Sequence, residues 1–349
     1  MLNRRQFGLG LVAGIGAAPV LAQIAAPAQG WRQLPTEPYP GKQDDIAFVT
    51  PDLGWYGNGA GKLFRSANGG EQWEKIWDRP GTFIRALGFI DARRGFLGNV
   101  GTEAYPNVTD SRPLYRTGDG GRSWTPVEAE GIGAVRGICG IDVLAGGRIV
   151  HAAGRVGGPA GMLRSRDGGE HWEIVELGAA AGMVLDVKFL TPSTGFLCAA
   201  SASDMAEANA LILRTQNGGR NWAPVYRSAR RFEAVWKIHF PTRRTGYATV
   251  QNYEPGTSRR LIVKTEDGGA SWRELPLVDD ARVREFGIGF ANERTGWVGT
   301  TTGGYETRDG GASWTPVEMG RAVNKVRIVR RGGTARAFAI GTGVWRRDL

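Results

Sequence analysis

Thr117-Gly118-Asp119-Gly120-Gly121-Arg122-Ser123-Trp124 is one of six copies of a single eight-residue box, Ser/Thr-x-Asp/Asn-Gly-Gly-x-x-Trp. The others run from Ser66 to Trp73, Ser165 to Trp172, Thr215 to Trp222, Thr265 to Trp272 and Thr307 to Trp314. Successive tryptophans lie 51, 48, 50, 50 and 42 residues apart. A Gly/aromatic signature recurring every 40 to 50 residues or so points to a propeller or another array of stacked units. Asn-Gly-Gly and Asp-Gly-Gly supply the positive φ that a tight hairpin needs. Each box therefore joins a third strand to a fourth, and its Trp opens the fourth. Burying such an aromatic against its own blade contributes roughly 1.5–3 kcal/mol.

Between boxes a second pattern recurs: an apolar run ending in Phe, a turn, Gly plus an aromatic, then a strand leading into the next box. One unit reads Val235-Trp236-Lys237-Ile238-His239-Phe240, then Thr245-Gly246-Tyr247, then Leu261-Ile262-Val263-Lys264. Short β-branched runs bounded by Gly, Pro, Asn and Asp are strands. After Trp314 one further set follows, Asn324 to Val329, Ala335 to Ile340 and Val344-Trp345-Arg346, with no seventh box. Near the start, Trp31-Arg32-Gln33-Leu34 matches Trp272-Arg273-Glu274-Leu275, the stretch that follows a box elsewhere. The expectation is an all-β chain: one seven-bladed propeller of four-stranded antiparallel blades, over residues 31–349. The N-terminal strand completes the last blade and so removes two exposed sheet edges.

Residues 1–22 read as a twin-arginine signal peptide, from Asn3-Arg4-Arg5-Gln6-Phe7, the apolar stretch Gly8 to Leu21 and a small-residue cleavage site at Val20-Leu21-Ala22. Ala26-Pro27-Ala28 is a second cleavage site, and 23–30 form a short leader. The expected location is a bacterial periplasm or the exterior, or a thylakoid lumen in a photosynthetic host. The formal charge of +10 falls to +8 without Arg4 and Arg5. Nucleic acid is a poor partner for an exported chain without a recognition motif. Cys139 and Cys198, placed in inner strands of neighbouring blades, read as small buried hydrophobes, with a disulfide as the alternative. His151, His171 and His239 fall in different blades without metal-ligand spacing, and no metal or cofactor is expected.

The box with its flanking strands resembles the BNR or Asp-box repeat of bacterial sialidases, xyloglucanases and sortilin-type receptors. The stretch from Trp31 to Leu349 is most similar to the photosystem II stability/assembly factor-like family, with six boxes in a seven-unit ring and Phe-x(4–6)-Gly-aromatic spacing, as in Phe290 to Trp297. The resemblance implies a monomeric, non-catalytic scaffold that binds a protein, in that family a membrane-complex subunit. It also implies that the boxes sit on the face opposite the ligand site. Asp119, Asp167, Asp267 and Asp309 are then structural, as are Asn68, Asn217 and the tryptophans Trp73, Trp124, Trp172, Trp222, Trp272 and Trp314.

The loops on the other face are long: Asn99 to Pro113, Ser201 to Ala210 and Gln251 to Arg260. Arg85, Arg136, Arg230, Arg231, Arg282 and Arg284 lie in them or near the starts of inner strands, with Tyr105, Trp236 and Tyr253. Arginine and aromatics dominate protein-binding hot spots, so this rim is the candidate surface for an acidic segment of a protein. The alternative is a glycoside hydrolase, which needs two carboxylates about 5–9.5 Å apart. Asp45 and Asp186 are the candidates, at equivalent places in the inner strands of blades one and four, with Glu233 and Glu285 nearby. A sialidase would also carry an N-terminal Arg-Ile-Pro signature, where this chain has Phe83-Ile84-Arg85-Ala86.

Overall fold

The computed structural model describes residues 30–349 apart from 104, 145, 178 and 179. The twin-arginine motif and both cleavage sites lie outside the described residues. Seven four-stranded antiparallel sheets, six of them simple meanders, form the seven-bladed propeller. The innermost strands of blades 1 to 7 are Gln43–Phe48, Ile84–Phe89, Gly140–Val143, Met183–Phe189, Glu233–His239, Glu285–Phe290 and Lys325–Arg331. In blade 7 the outermost strand is Arg32–Leu34, which pairs Arg32 with Arg346 and Leu34 with Val344. Trp31 packs edge-on against Trp297 of blade 6, with centroids 5.5 Å apart. Ring closure by the N-terminal strand is therefore as the repeat pattern implies.

Each box is the hairpin between third and fourth strands. In the second copy, Thr117 Oγ1 donates to Asp119 Oδ1 at 2.8 Å and accepts the Gly121 amide at 2.9 Å. Asp119 Oδ1 accepts the amides of Arg122 and Ser123, both at 3.0 Å, and Oδ2 accepts the Ser123 hydroxyl at 2.6 Å. Gly120 and Gly121 take φ of 79° and 92°, where a side chain would be strained. Burial alone would raise the Asp119 pKa, but the hydrogen bonds from Ser123, Thr117 and Arg122 outweigh it and draw it down to about 2. Asn68 and Asn217 make the equivalent bonds, to the Gln72 and Asn221 amides at 3.0 Å. The hairpin needs an acceptor there and not a charge.

The box tryptophans are half-buried and rest on their own blade's Phe: Trp124 on Phe89 at 6.1 Å, Trp222 on Phe189 at 6.0 Å, Trp314 on Phe290 at 6.2 Å. Trp172 departs from this. Blade 3's inner strand ends in Val143, and Trp172 instead meets Phe96 of blade 2 at 5.3 Å.

Candidate functional site

The seven inner strands converge on the axis, and five of them lose register with their neighbours at the same level. The shifts fall between Gln43 and Asp45, Ile84 and Ala86, Val184 and Asp186, Val235 and Ile238, and Glu285 and Ile288. A bulge leaves a residue unpaired and re-aims its side chain. The residues released here include Asp44, Arg85, Trp236, Lys237 and Phe286. Their contacts span the ring. Arg85 of blade 2 pairs with Asp44 of blade 1 and lies 5.4 Å from the centre of the Trp236 ring in blade 5. Lys42, leading into blade 1, sits 5.4 Å over Phe286 of blade 6, which meets Trp236 edge-on at 5.6 Å. Blades 2 and 5 are not neighbours in a ring of seven, so these side chains close the channel across its axis. Cation–π contacts of this kind gain strength when desolvated.

Below this plug lies a layer of paired charges. Asp45 binds Lys325 and, at 3.2 Å, Arg327, both of blade 7, and accepts the Ile46 and Leu87 amides at 2.7 Å. Lys325 also donates to the Arg85 carbonyl at 3.3 Å. Burial opposes ionisation of Asp45, but Lys325 and Arg327 outweigh it and hold the carboxyl below its ordinary value. Lys237 donates to the Leu185 carbonyl at 2.6 Å and stands 3.6 Å from Asp186. Toward the box hairpins a cavity of about 290 Å³ follows, lined by Asp142, Asp186, Lys188, His239 and Arg327 among others.

Arg85, Trp236, Tyr253 and Arg284 come together at the channel mouth, but not as a rim. Arg85 and Trp236 are buried, because the bulges turn both inward, so neither offers the exposed surface expected of the rim. Arg284 lies 4.5 Å over the Tyr253 ring, and the Tyr253 hydroxyl donates to Gln251. Arg230 is a clamp within blade 5: its guanidinium bonds Glu233 on the inner strand and Glu274 on the outer strand, each at 2.6 Å. Arg136, Arg231 and Arg282 are exposed, beside Glu103 at 4.0 Å, Glu207 at 2.8 Å and Asp280 at 2.7 Å. Tyr105 is 46 % exposed and stacks on Phe83 at 4.8 Å.

Asp45 and Asp186 do occupy equivalent places, each directly after its strand's bulge. Each faces a lysine of another blade. Glu233 and Glu285 are buried, and Glu285 accepts the Leu261 amide at 2.8 Å. Burial pushes its carboxyl up to about 8. Cys139 and Cys198 are free and buried. Cys198 lies on the second strand of blade 4, opposite Asp186, which corrects its assignment to an inner strand. Its burial pushes the thiol pKa well up.

Four residues of this centre escaped the sequence reading: Asp44, Lys237, Lys325 and Arg327. The available signal was charge inside otherwise apolar strands, Asp44-Asp45 before Ile46 and Lys325-Val326-Arg327-Ile328.

No family model and no curated protein matches the chain. Solved propellers do. YCF48 bound to a D1 peptide aligns with a TM-score of 0.63 at 18 % identity, over 91 % of this chain and 94 % of that one. YCF48 from Cyanidioschyzon merolae gives 0.63 at 17 %, over 91 % and 98 %. The GH74 xyloglucanase from Xanthomonas campestris gives 0.66 at 18 %, over 90 % of this chain and 53 % of the enzyme, so the chain spans about half that protein's length. At such identities the likeness establishes the fold, which peptide binder and hydrolase share.

Proposed function

We propose that the chain is a non-catalytic docking platform whose face opposite the boxes receives an acidic segment of a protein partner. The observation that carries this is the pairing state of the arginines on that face. Arg136 and Arg282 lie in segments joining blades 2 to 3 and 5 to 6, and Arg231 in the segment joining 4 to 5. By topology all three segments lie on the face where the inner strands begin. Their ion pairs with Glu103, Asp280 and Glu207 are solvent-exposed and worth little, on the order of 0–1 kcal/mol each. A partner's carboxylates can displace them at small cost. Tyr105 adds exposed aromatic surface on the same face, and beneath it the mouth is closed by Arg85, Trp236 and Phe286. The reading agrees with the resemblance to the assembly-factor family and with the peptide complex of YCF48. A membrane-complex subunit, met in the periplasm or its equivalent, is the partner we infer.

The test is capture of binding proteins from periplasm and solubilised membrane by the tagged chain, beside an Arg136→Glu/Arg231→Glu/Arg282→Glu variant. Arg230 is left intact because its reversal would set a third carboxylate against Glu233 and Glu274. A partner lost by the variant, with its melting temperature unchanged, supports the platform. Capture undiminished by the variant removes this face from consideration.

Glycoside hydrolysis is the second reading, favoured by the likeness to the xyloglucanase ring. It would require Asp45 and Asp186 to leave the lysines that hold them. Hydrolysis of a glucan by the native chain, abolished in Asp45→Asn, would put it first.

A further inference from the structure

One position of the blade repeat changes character in blade 3. The second strands set Trp55, Phe96, Phe196, Tyr247, Trp297 and Phe338 at matching register, opposite Arg65, Arg116, Arg214, Lys264, Glu306 and Arg346. In blade 3 the pair is His151 opposite Arg164. Where the side chain is long it fills the wedge between its blade and the next blade's box. The Trp55 indole donates to the Gly120 carbonyl at 2.9 Å, and the Tyr247 hydroxyl lies 3.3 Å from the Gly310 carbonyl. His151 stacks flat on Phe189, centroids 3.5 Å apart, but makes no such bond. Both of its ring nitrogens are buried without a partner. The equivalent carbonyl, Gly218, is taken by buried Arg164.

A cleft of about 880 Å³ lies here between blades 3 and 4 on the box face, larger than its counterpart of about 640 Å³ beside Phe96 between blades 2 and 3 and within the range of small-molecule sites. Its walls carry Arg148, Arg164, Arg166 and Arg220, with Leu144, Ile149 and Pro192 as apolar surface. Among the described residues no carboxylate lines it. The box that borders it has Asn217 where four others have an aspartate. Glu173 pairs with Arg164 at 2.7 Å and Arg166 at 3.2 Å. Arg148 and Arg220 have no ion pair among the described residues. Burial draws the imidazole down to about 4, so it stays neutral at pH 7, with one nitrogen able to donate and the other to accept.

We propose that this cleft is a binding site for a small organic carboxylate with an apolar or aromatic body, its carboxylate held by Arg148 and Arg220 and its body resting against Leu144, Ile149 and Pro192, next to the buried His151. Guanidinium forks match carboxylates in geometry and charge. The apolar walls suit a hydrocarbon body and offer nothing to a bare inorganic anion. The site is on the opposite face from the proposed partner surface and stands or falls without it.

The experiment titrates the purified chain at low salt with benzoate, 2-naphthoate, inorganic phosphate and benzyl alcohol. Calorimetry and the ¹⁵N signals of the His151 ring are the readouts. Saturable binding of the two aromatic carboxylates, with His151 signals shifting, is expected, and neither phosphate nor benzyl alcohol should match it. Arg148→Gln/Arg220→Gln should weaken binding about tenfold or more. His151→Tyr, which places the blade 5 residue in the wedge, should abolish binding and raise the melting temperature. Absence of saturable carboxylate binding below about 10 mM overturns the proposal. So does binding that survives the double arginine change, or phosphate binding as tightly as benzoate. Should His151→Tyr not fold, the arginine variant decides alone, since Arg148 and Arg220 are exposed.

Discussion

The box hairpins and the channel strands obey different rules. Six times over, the box hydroxyl accepts the amide of the second glycine and the Asx oxygen accepts the amide four residues on, so these partner atoms lie within four residues of one another. In the channel the blades differ far more, although Asp45 and Asp186 match: Asp44 comes from one, Arg85 from the next, Trp236 and Lys237 from another, Lys325 from the last. Their partners come from across the ring. Repetition builds the ring, and individuality begins where the repeat is broken, at the bulges and at His151.

That contrast can be pressed hardest at Lys325. It is 2 % exposed and holds Asp45, itself fully buried. Lys325→Ala should destabilise the ring by roughly 3–5 kcal/mol, since it leaves a buried carboxylate short of its partner. Asp45→Leu/Lys325→Met should recover most of that loss, because replacing both charges with apolar groups removes the orphan. Urea unfolding of the three chains checks it, and a double change no milder than the single would show that the orphaned carboxylate is not what Lys325→Ala costs.

On the box side the prediction is uniformity. Trp124→Ala removes a half-buried indole that rests on Phe89 and Trp77 and donates to the Gly121 carbonyl at 3.0 Å. A loss of roughly 2 kcal/mol is expected, and Trp222→Ala and Trp314→Ala should cost about the same. A spread of several kcal/mol would mean the boxes are not interchangeable.

The smallest effect is on acid stability. The Asp119 pKa falls from an ordinary 3.8 to about 2 on folding, so its stabilisation is fully present above pH 4 and is lost as pH drops through 2. Asp119→Asn adopts the chemistry of Asn68 and Asn217 and should flatten the dependence of the urea midpoint between pH 5 and pH 2. An unchanged slope would show that the native chain's acid sensitivity arises elsewhere, the channel carboxylates being the first place to look.

These regions also differed in how far they could be read from the chain alone. Hairpin chemistry is local, so Thr117 to Trp124 declared its own turn, and the missing seventh box exposed the closure by Trp31 to Leu34. A bulge is a relation between two strands and leaves no mark in either. Trp236, read in the strand Val235 to Phe240, therefore looked like part of an exposed rim, and Arg230, bound to a residue 44 positions away, like a free charge. His151 was within reach: Val150-His151 stands where five other units have Gly followed by Trp, Phe or Tyr.

Closure by the first strand carries a consequence for biogenesis. Arg327 contacts Ile46 across 281 residues of chain, and Arg32 pairs with Arg346 beyond that. A ribosome releases these partners far apart in time, so six blades can form on the nascent chain while the seventh waits. Such long-range pairing is slow and rewarded only at the end. The ring is in effect a clasp fastened once, when its last strands have emerged, and until then its two open edges need shielding from other chains.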